Sequence, residues 1–510
     1  SGFLVSVFNV SNPKLNQNRD ISARDVLDEG AERIHTELAD QPKVKAKLLD
    51  TLATAYRYIG EPAKSIDLFR EAIELYLDPR VADPLGGAAA LSQLAYAYAD
   101  GKYPREETEA VARRALALRE QNHAGPLAMA DSYNSLGLVL EREDKFDEAE
   151  AMLRRGLELR RANGAKPDQV ASSLHNLGVV AMNRENGGSA VPYYEEALAL
   201  LRSAGEQHTP SYQNSLKNYG TALARANRAA DSIPVLEESL ALARDLYGED
   251  SDHTGGVQNE LGSTLHDLGR FREAIVHYRE ALRIEDKTLG ELGAERAKPL
   301  NNIASAYEDM GDIEAAIPLF RESIAIRRKA LGAGDVMVLR ADYNLARALT
   351  KGGHLKEARP MLDSVHAAFL KQYGEANSNT AKAEMWIGTA ELRAGRIDAA
   401  AASLATVQAS KAPFTPMMRA QRNGLAADIA ASRHDAAAEI PLRKQAWDEM
   451  RAAFGDSHPL AAEYGIAYAN ALADAKRDTE SRAVAAPLVP VIDAAFAENS
   501  KTRRDLARWR

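Results

Sequence analysis

Among the residues able to do chemistry, the asparagines have the clearest spacing. Asn176, Asn218, Asn302 and Asn344 each stand directly before a pair in which a large residue precedes Gly or Ala: Leu177-Gly178, Tyr219-Gly220, Ile303-Ala304 and Leu345-Ala346. A side-chain amide offers a donor and an acceptor at once, so a row of them can clamp an extended peptide backbone without reading its sequence. The same amides can equally bond a neighbouring helix. His175, Lys217, Arg225, Asn259, Asn301, Arg340, Tyr343 and Arg347 fall close to this row in sequence. The cationic members suit an acidic peptide or a carboxylate terminus, and they also suit the ordinary task of keeping a surface soluble.

Other chemistries find no constellation, and neither a catalytic set nor a cofactor site is expected. The eleven histidines are scattered, without His-Glu-x-x-His, so no metal site is expected. Gly86-Gly87, Gly187-Gly188 and Gly352-Gly353 precede no Lys-Ser/Thr and read as turns, not phosphate loops. Glu195-Glu196 and Glu237-Glu238 read as solvated helix faces. Cysteine is absent, which excludes thiolate chemistry and a disulfide-built scaffold. The net charge of −9 includes no basic stripe, so nucleic acid is not expected as a partner. No apolar run approaches the ~20 residues of a membrane helix.

The elements that would position the asparagines follow from a period. Small residues recur at 53, 95, 137, 178, 220, 262, 304, 346 and 388, in steps of 42 with a single 41 (178 − 137). Twelve residues after most of these markers stands a second small residue, such as Ser65, Ala149, Ala274 or Ala358, and four further on a large one, such as Phe69, Leu153, Tyr278 or Leu362. Gly60, Gly269, Gly311, Gly353 and Gly395 lie between the two sets, where a left-handed residue ends a first helix. The pattern Leu-Gly-x-x-Tyr … Ala-x-x-x-Phe resembles the tetratricopeptide repeat, and the longer period resembles the 42-residue variety of kinesin light chains and many bacterial proteins. The resemblance implies an all-α, right-handed superhelical solenoid of about ten to eleven helical hairpins, with first helices lining a concave groove that takes a peptide or protein.

Residues 43–410 form the regular array in this reading, and 411–510 hold degenerate repeats and a C-terminal cap. Leu425-Ala426 with Ala438 and Leu442 marks a tenth unit, and Ala469 with Leu472 and Ser481 an eleventh whose second helix Pro487 and Pro490 interrupt. Residues 21–42 form an N-terminal capping helix, with Val26, Leu27, Ala31, Ile34 and Leu38 on one face. Residues 1–20 have a different pattern. Phe3-Leu4-Val5-Ser6-Val7-Phe8, Ser11-Asn12-Pro13 and the following Ile21-Ser22-Ala23-Arg24-Asp25-Val26-Leu27 are similar to a junction in bacterial transmembrane serine/threonine protein kinases. That resemblance implies a juxtamembrane segment and a ligand-sensing array on the periplasmic side of the inner membrane. The membrane helix and kinase domain would lie outside this sequence. The rival reading is a cytoplasmic scaffold that assembles partner proteins. The stripe Phe3, Leu4, Val7, Phe8 is too short to stand alone in water. It would dock on the helix at 22–38, continue a membrane helix, or pair with its copy in a homodimer.

Overall fold

A computed structural model describes residues 23–101, 103–184, 187–289 and 293–509. The expected juxtamembrane segment and the dimer contact at residues 3–8 lie outside these. The described residues are helices joined by turns and loops, with no strand. None of their helices is long and apolar enough to cross a membrane. The chain divides into two compact units, Ser1–Ala226 and Asn227–Arg510.

The first unit opens with α1 (Ala23–Glu37) and continues through α2 (Pro42–Tyr58), α3 (Pro62–Leu77), α4 (Pro84–Asp100), α5 (Arg105–Gln121), α6 (Pro126–Arg142), α7 (Phe146–Ala162), α8 (Pro167–Arg184), α9 (Val191–Ser203) and α10 (Pro210–Arg225). Proline opens five of the first helices, where its missing N–H costs nothing. Helix α1 caps the array: Ile34 is buried, and the Asp28 carboxylate accepts from Tyr56 Oη at 2.5 Å and from Lys64. The hairpins close because the marker is small. A Cβ on Gly137 would sit 2.6 Å from Leu153, and one on Gly178 2.6 Å from Tyr194, so the large residue sixteen positions on occupies the space a side chain would need.

The second unit comprises α11 (Ala229–Tyr247), α12 (Asp252–Asp267), α13 (Phe271–Leu289), α14 (Ala297–Asp309), α15 (Ile313–Leu331), α16 (Val336–Gly352), α17 (Leu355–Tyr373), α18 (Ser378–Arg393), α19 (Ile397–Ala409), α20 (Pro416–Ser432), α21 (Ala436–Phe454), α22 (Pro459–Asp474), α23 (Asp478–Ala485), α24 (Val489–Ala495) and α25 (Lys501–Asp505). The same glycine-to-aromatic contact recurs, Gly262 against Tyr278. Seven residues after each described marker the backbone turns left-handed, at Gly269, Gly311, Gly353 and Gly395, with φ between +74° and +81°. That regularity corrects the tenth unit. Its left-handed residue is His434 (φ +58°), which puts the marker at Ala427 rather than Ala426, 39 residues after Gly388 (427 − 388) and 42 before Ala469 (469 − 427). Ala427 is the fully buried one of the two, and Leu425 had suggested the neighbouring register. In that register the second small and large residues are replaced by Glu439 and Arg443, which pair with each other. The eleventh unit keeps its pattern: Ser481 Oγ donates to the Ala469 carbonyl, twelve residues back, as Ser65 does to Ala53. Its second helix is broken between α23 and α24, as the prolines predict.

The end of the second unit returns to its beginning. Pro459, at the head of α22, lies over Gly269, where a Cβ would come 2.3 Å from the proline ring, and Ser500 covers Gly311 in the same way. The Ala497 N–H donates to the Met310 carbonyl at 2.9 Å, and Asn499 donates to Asp312. His458 accepts from the Leu460 N–H through Nδ1, stacks on Phe454 and meets Phe271 edge-on. Burial brings its pKa down to about 4, so the ring is neutral.

Candidate functional site

In each unit the first helices carry a row of side-chain hydrogen bonds, and both rows obey a single rule. The residue two before a marker donates to the residue three before the marker of the preceding unit. In the first unit Ser135 Oγ reaches the Ser92 carbonyl at 3.4 Å, Asn176 Nδ2 reaches Asn134 Oδ1 at 2.9 Å, and Asn218 Nδ2 reaches His175 Nε2 at 3.2 Å. In the second, Asn302 donates to Asn259 at 3.0 Å and Asn344 to Asn301 at 3.2 Å. All four asparagines of the sequence pattern therefore bond a neighbouring helix. An amide has two N–H groups and a carbonyl with two lone pairs, so one bond does not exhaust it. Among the described residues the carbonyl and second N–H of Asn302 and Asn344 bond nothing further.

Charge and burial divide the remaining candidates. His175 Nε2 also accepts from Asn214, so the ring proton sits on Nδ1 and points to Ser215 Oγ at 3.3 Å. Burial, helped by Lys217, lowers the His175 pKa to about 4. Arg225 reaches back to the Met182 carbonyl at the end of α8, so it serves as a helix cap. Arg347 grips Glu308 with two bonds of 2.7 Å, and Lys351 adds a third contact at 3.0 Å. The Glu308 side chain has no accessible surface. Burial opposes the Arg347 charge, but Glu308 outweighs it and holds the guanidinium above its ordinary value. Burial would raise the neighbouring Asp309, yet His266 at 3.1 Å, with Lys351 and Arg347, holds its pKa at about 2. Tyr343 is pushed up to about 12 by burial, and Arg340 stands exposed. Asn259 is 4% exposed, and its Nδ2 has no partner among the described residues.

Sequence reasoning missed three groups: Asn134, which receives the Asn176 amide; Glu308; and Lys382. The signal for Lys382 was present, because Lys298, Arg340 and Lys382 stand 42 residues apart. Asn134 is found only once the acceptor position of the row is known.

With this geometry the sequence comparisons agree. A family profile described as tetratricopeptide repeat matches residues 169–245, 211–287, 253–329 and 295–371, and a second profile of that description matches 129–166. Residues 129–166 and 169–371 of the chain are thus tetratricopeptide repeats. No curated protein sequence matches it. Among solved structures this repeat protein is similar to BtubC (BKLC) from P. vanneervenii, at 21% identity, with 45% of this chain and 92% of that one covered and a TM-score of 0.39. It is also similar to the apo form of the quorum sensor NprR from B. thuringiensis, at 12% identity, 69% and 99% coverage and a TM-score of 0.49. Aspartyl phosphate phosphatase F from Bacillus subtilis gives 13% identity, 71% and 93% coverage and a TM-score of 0.45.

Proposed function

We propose that this repeat protein binds an extended stretch of polypeptide along its first helices and does no chemistry of its own. The observation that supports this is the hydrogen-bonded row. It fixes each amide in one orientation by a bond to the preceding helix, yet leaves Asn302 and Asn344 with open donors and acceptors. An extended peptide backbone presents those two groups in alternation. Fixing them beforehand removes much of the ordering cost of binding. Hydrogen exchange of the full chain with a pool of random decapeptides tests the reading. Slowed exchange should centre on α14, α16 and α18. Protection confined to the second helices α15 and α17, or no protection at all, would overturn it.

The finer reading is sensory. The resemblance of residues 3–42 to a kinase junction supports an array held on the periplasmic side of a bacterial inner membrane, reporting a bound ligand to a kinase domain across it. The competing reading is a cytoplasmic scaffold. The gene upstream of Phe3 decides between them: a kinase domain and one membrane helix are expected, and their absence rules out the sensor.

A further inference from the structure

The second compact unit comes full circle. Its five hairpins, from α12–α13 to α20–α21, carry the chain away from Gly269, and the next helix, α22, begins with Pro459 against that same glycine. The segment that follows stays on the same edge, where Ser500 covers Gly311, one hairpin further on. Five hairpins therefore make one complete superhelical circuit, and residues 458–500 seal its seam. First helices lie on the inside of the circuit. Short amides bridge them from unit to unit, Asn302 to Asn259 and Asn344 to Asn301, whereas between second helices a long Arg321 side chain reaches across to Glu357. The interior is not filled, because Asn302, Asn344, Arg347 and Lys382 remain partly exposed. Helices α16 and α18 have 17 and 16 residues, so the ring is about 25 Å deep. A polypeptide lying along the first helices passes through that ring and needs roughly eight extended residues to do so.

A closed ring admits the free end of a chain, but it admits an internal segment between two folded domains only by opening. The seam has the makings of a latch. The Ala497 N–H meets the Met310 carbonyl, Arg272 reaches the Phe496 carbonyl at 3.4 Å, and the bond from Asn499 to Asp312 is exposed. Leu460 and Ala495, both only partly buried, pack on the apolar cluster around Phe271 and Met310. One hairpin before the seam the array is interrupted. Helices α13, α15 and α17 each have 19 residues, but α19 has 13 and is followed by a non-helical stretch, 410–415, that contains Pro413. In the hairpin after this break Arg443 stands where other units carry an apolar plug, paired with Asp428 at 2.7 Å and Glu439 at 3.2 Å. Loop and helix-end residues of this kind absorb the rotation of a hinge. We propose that residues 416–509 form a gate that turns about 410–415 and latches on the Gly269 and Gly311 turns, so that the ring closes around an internal segment of a longer polypeptide. The inference rests on the peptide-binding reading above and adds the kind of partner, an unfolded stretch of at least about eight residues within a larger protein.

The chain has no cysteine, so Asp312→Cys/Asn499→Cys puts one thiol on each side of the seam, at positions whose Oδ1 and Nδ2 atoms lie 3.2 Å apart. Oxidation, or the short dithiol crosslinker dibromobimane, should bridge the two thiols in the ligand-free full chain, and dithiothreitol should reopen the disulfide. Two fluorescein-labelled probes are compared: random twenty-residue peptides, and the same peptides with ubiquitin fused at both ends. The reduced variant should bind both. Once oxidised, it should take up the free peptides at a nearly unchanged rate, but its association with the flanked ones should fall at least about hundredfold and recover with dithiothreitol. Flanked peptides bound before oxidation should be trapped, with dissociation slowed by a similar factor. Failure of both reagents to bridge the thiols overturns the closed seam. Uptake of flanked peptides as fast by the oxidised chain as by the reduced one overturns the gate and leaves the groove reading standing, as does a reduced chain that binds free peptides and never flanked ones. If the reduced chain binds neither probe, the groove reading falls and the gate falls with it.

Discussion

Gly269 and Gly353 occupy the same place in their units and share a left-handed backbone, φ +74° and +81°, but only one of them is covered. Nothing approaches a Cβ on Gly353 within 4 Å, whereas a Cβ on Gly269 would sit 2.3 Å from Pro459 Cδ and 3.2 Å from His458 Nε2. Alanine at either position carries the left-handed strain, about 1–2 kcal/mol, partly offset by about 0.4–1 kcal/mol from the stiffer unfolded chain. At Gly353 the net cost is therefore about 1 kcal/mol. At Gly269 the methyl is more than an ångström inside van der Waals contact, and the atom it meets belongs to a rigid ring at the head of α22. Overpacking of this kind costs about a further 1–3 kcal/mol. Urea unfolding of the full chain followed by circular dichroism gives the difference between the two variants. Hydrogen exchange in residues 458–505 should also rise in Gly269→Ala and stay unchanged in Gly353→Ala. Equal destabilisation by the two alanines, with no change in exchange, would show that the C-terminal segment does not rest on that turn in solution.

Two other substitutions follow from the hydrogen-bonded row and the buried histidine. Asn302→Ala should cost about 1–3 kcal/mol, because it leaves the carbonyl of Asn259, which is nearly inaccessible, without its donor, whereas Asn344→Ala should cost only about 0.5–1.5 kcal/mol, because Asn301 is partly hydrated; equal urea midpoints for the two would contradict this. His458 has a folded pKa near 4, below the ordinary 6.5, so its contribution is intact above pH 6.5 and is lost as pH falls toward 4. Between pH 7 and pH 4 the parent should lose up to about 3 kcal/mol relative to His458→Gln; a pH-independent difference in melting would refute it.

The repeat was legible in the sequence because each unit needs the same few shapes at the same places: a small marker, a left-handed turn, a large plug. Where those shapes were ambiguous, the register slipped. Leu425 directs attention to Ala426, but the left-handed His434 and the burial of Ala427 fix the true position. The row of asparagines was legible as a pattern, but its partners were not, since Asn134 and Asn259 accept through helix packing that no local spacing announces. Charge was the least legible. Arg225, Arg347 and Arg340 look alike in sequence, yet one caps a helix, one is tied to a buried carboxylate, and one stands exposed. The return of residues 458–500 leaves no mark in the sequence, because Gly269 and Gly311 read the same as Gly353 and Gly395.

That return has a consequence for how the chain is made. An array of repeats can fold progressively, each hairpin settling on the one before it as it emerges. Gly269 cannot acquire its cover that way, because Pro459 follows it by 190 residues (459 − 269). At about 5–20 residues per second, the turn waits roughly 10–40 s for its partner. During that interval Phe271, buried in the finished unit, lacks its neighbour His458. The nascent array thus exposes an apolar edge at its sixth unit until synthesis is nearly complete. A chain ending before His458 would keep that edge permanently open.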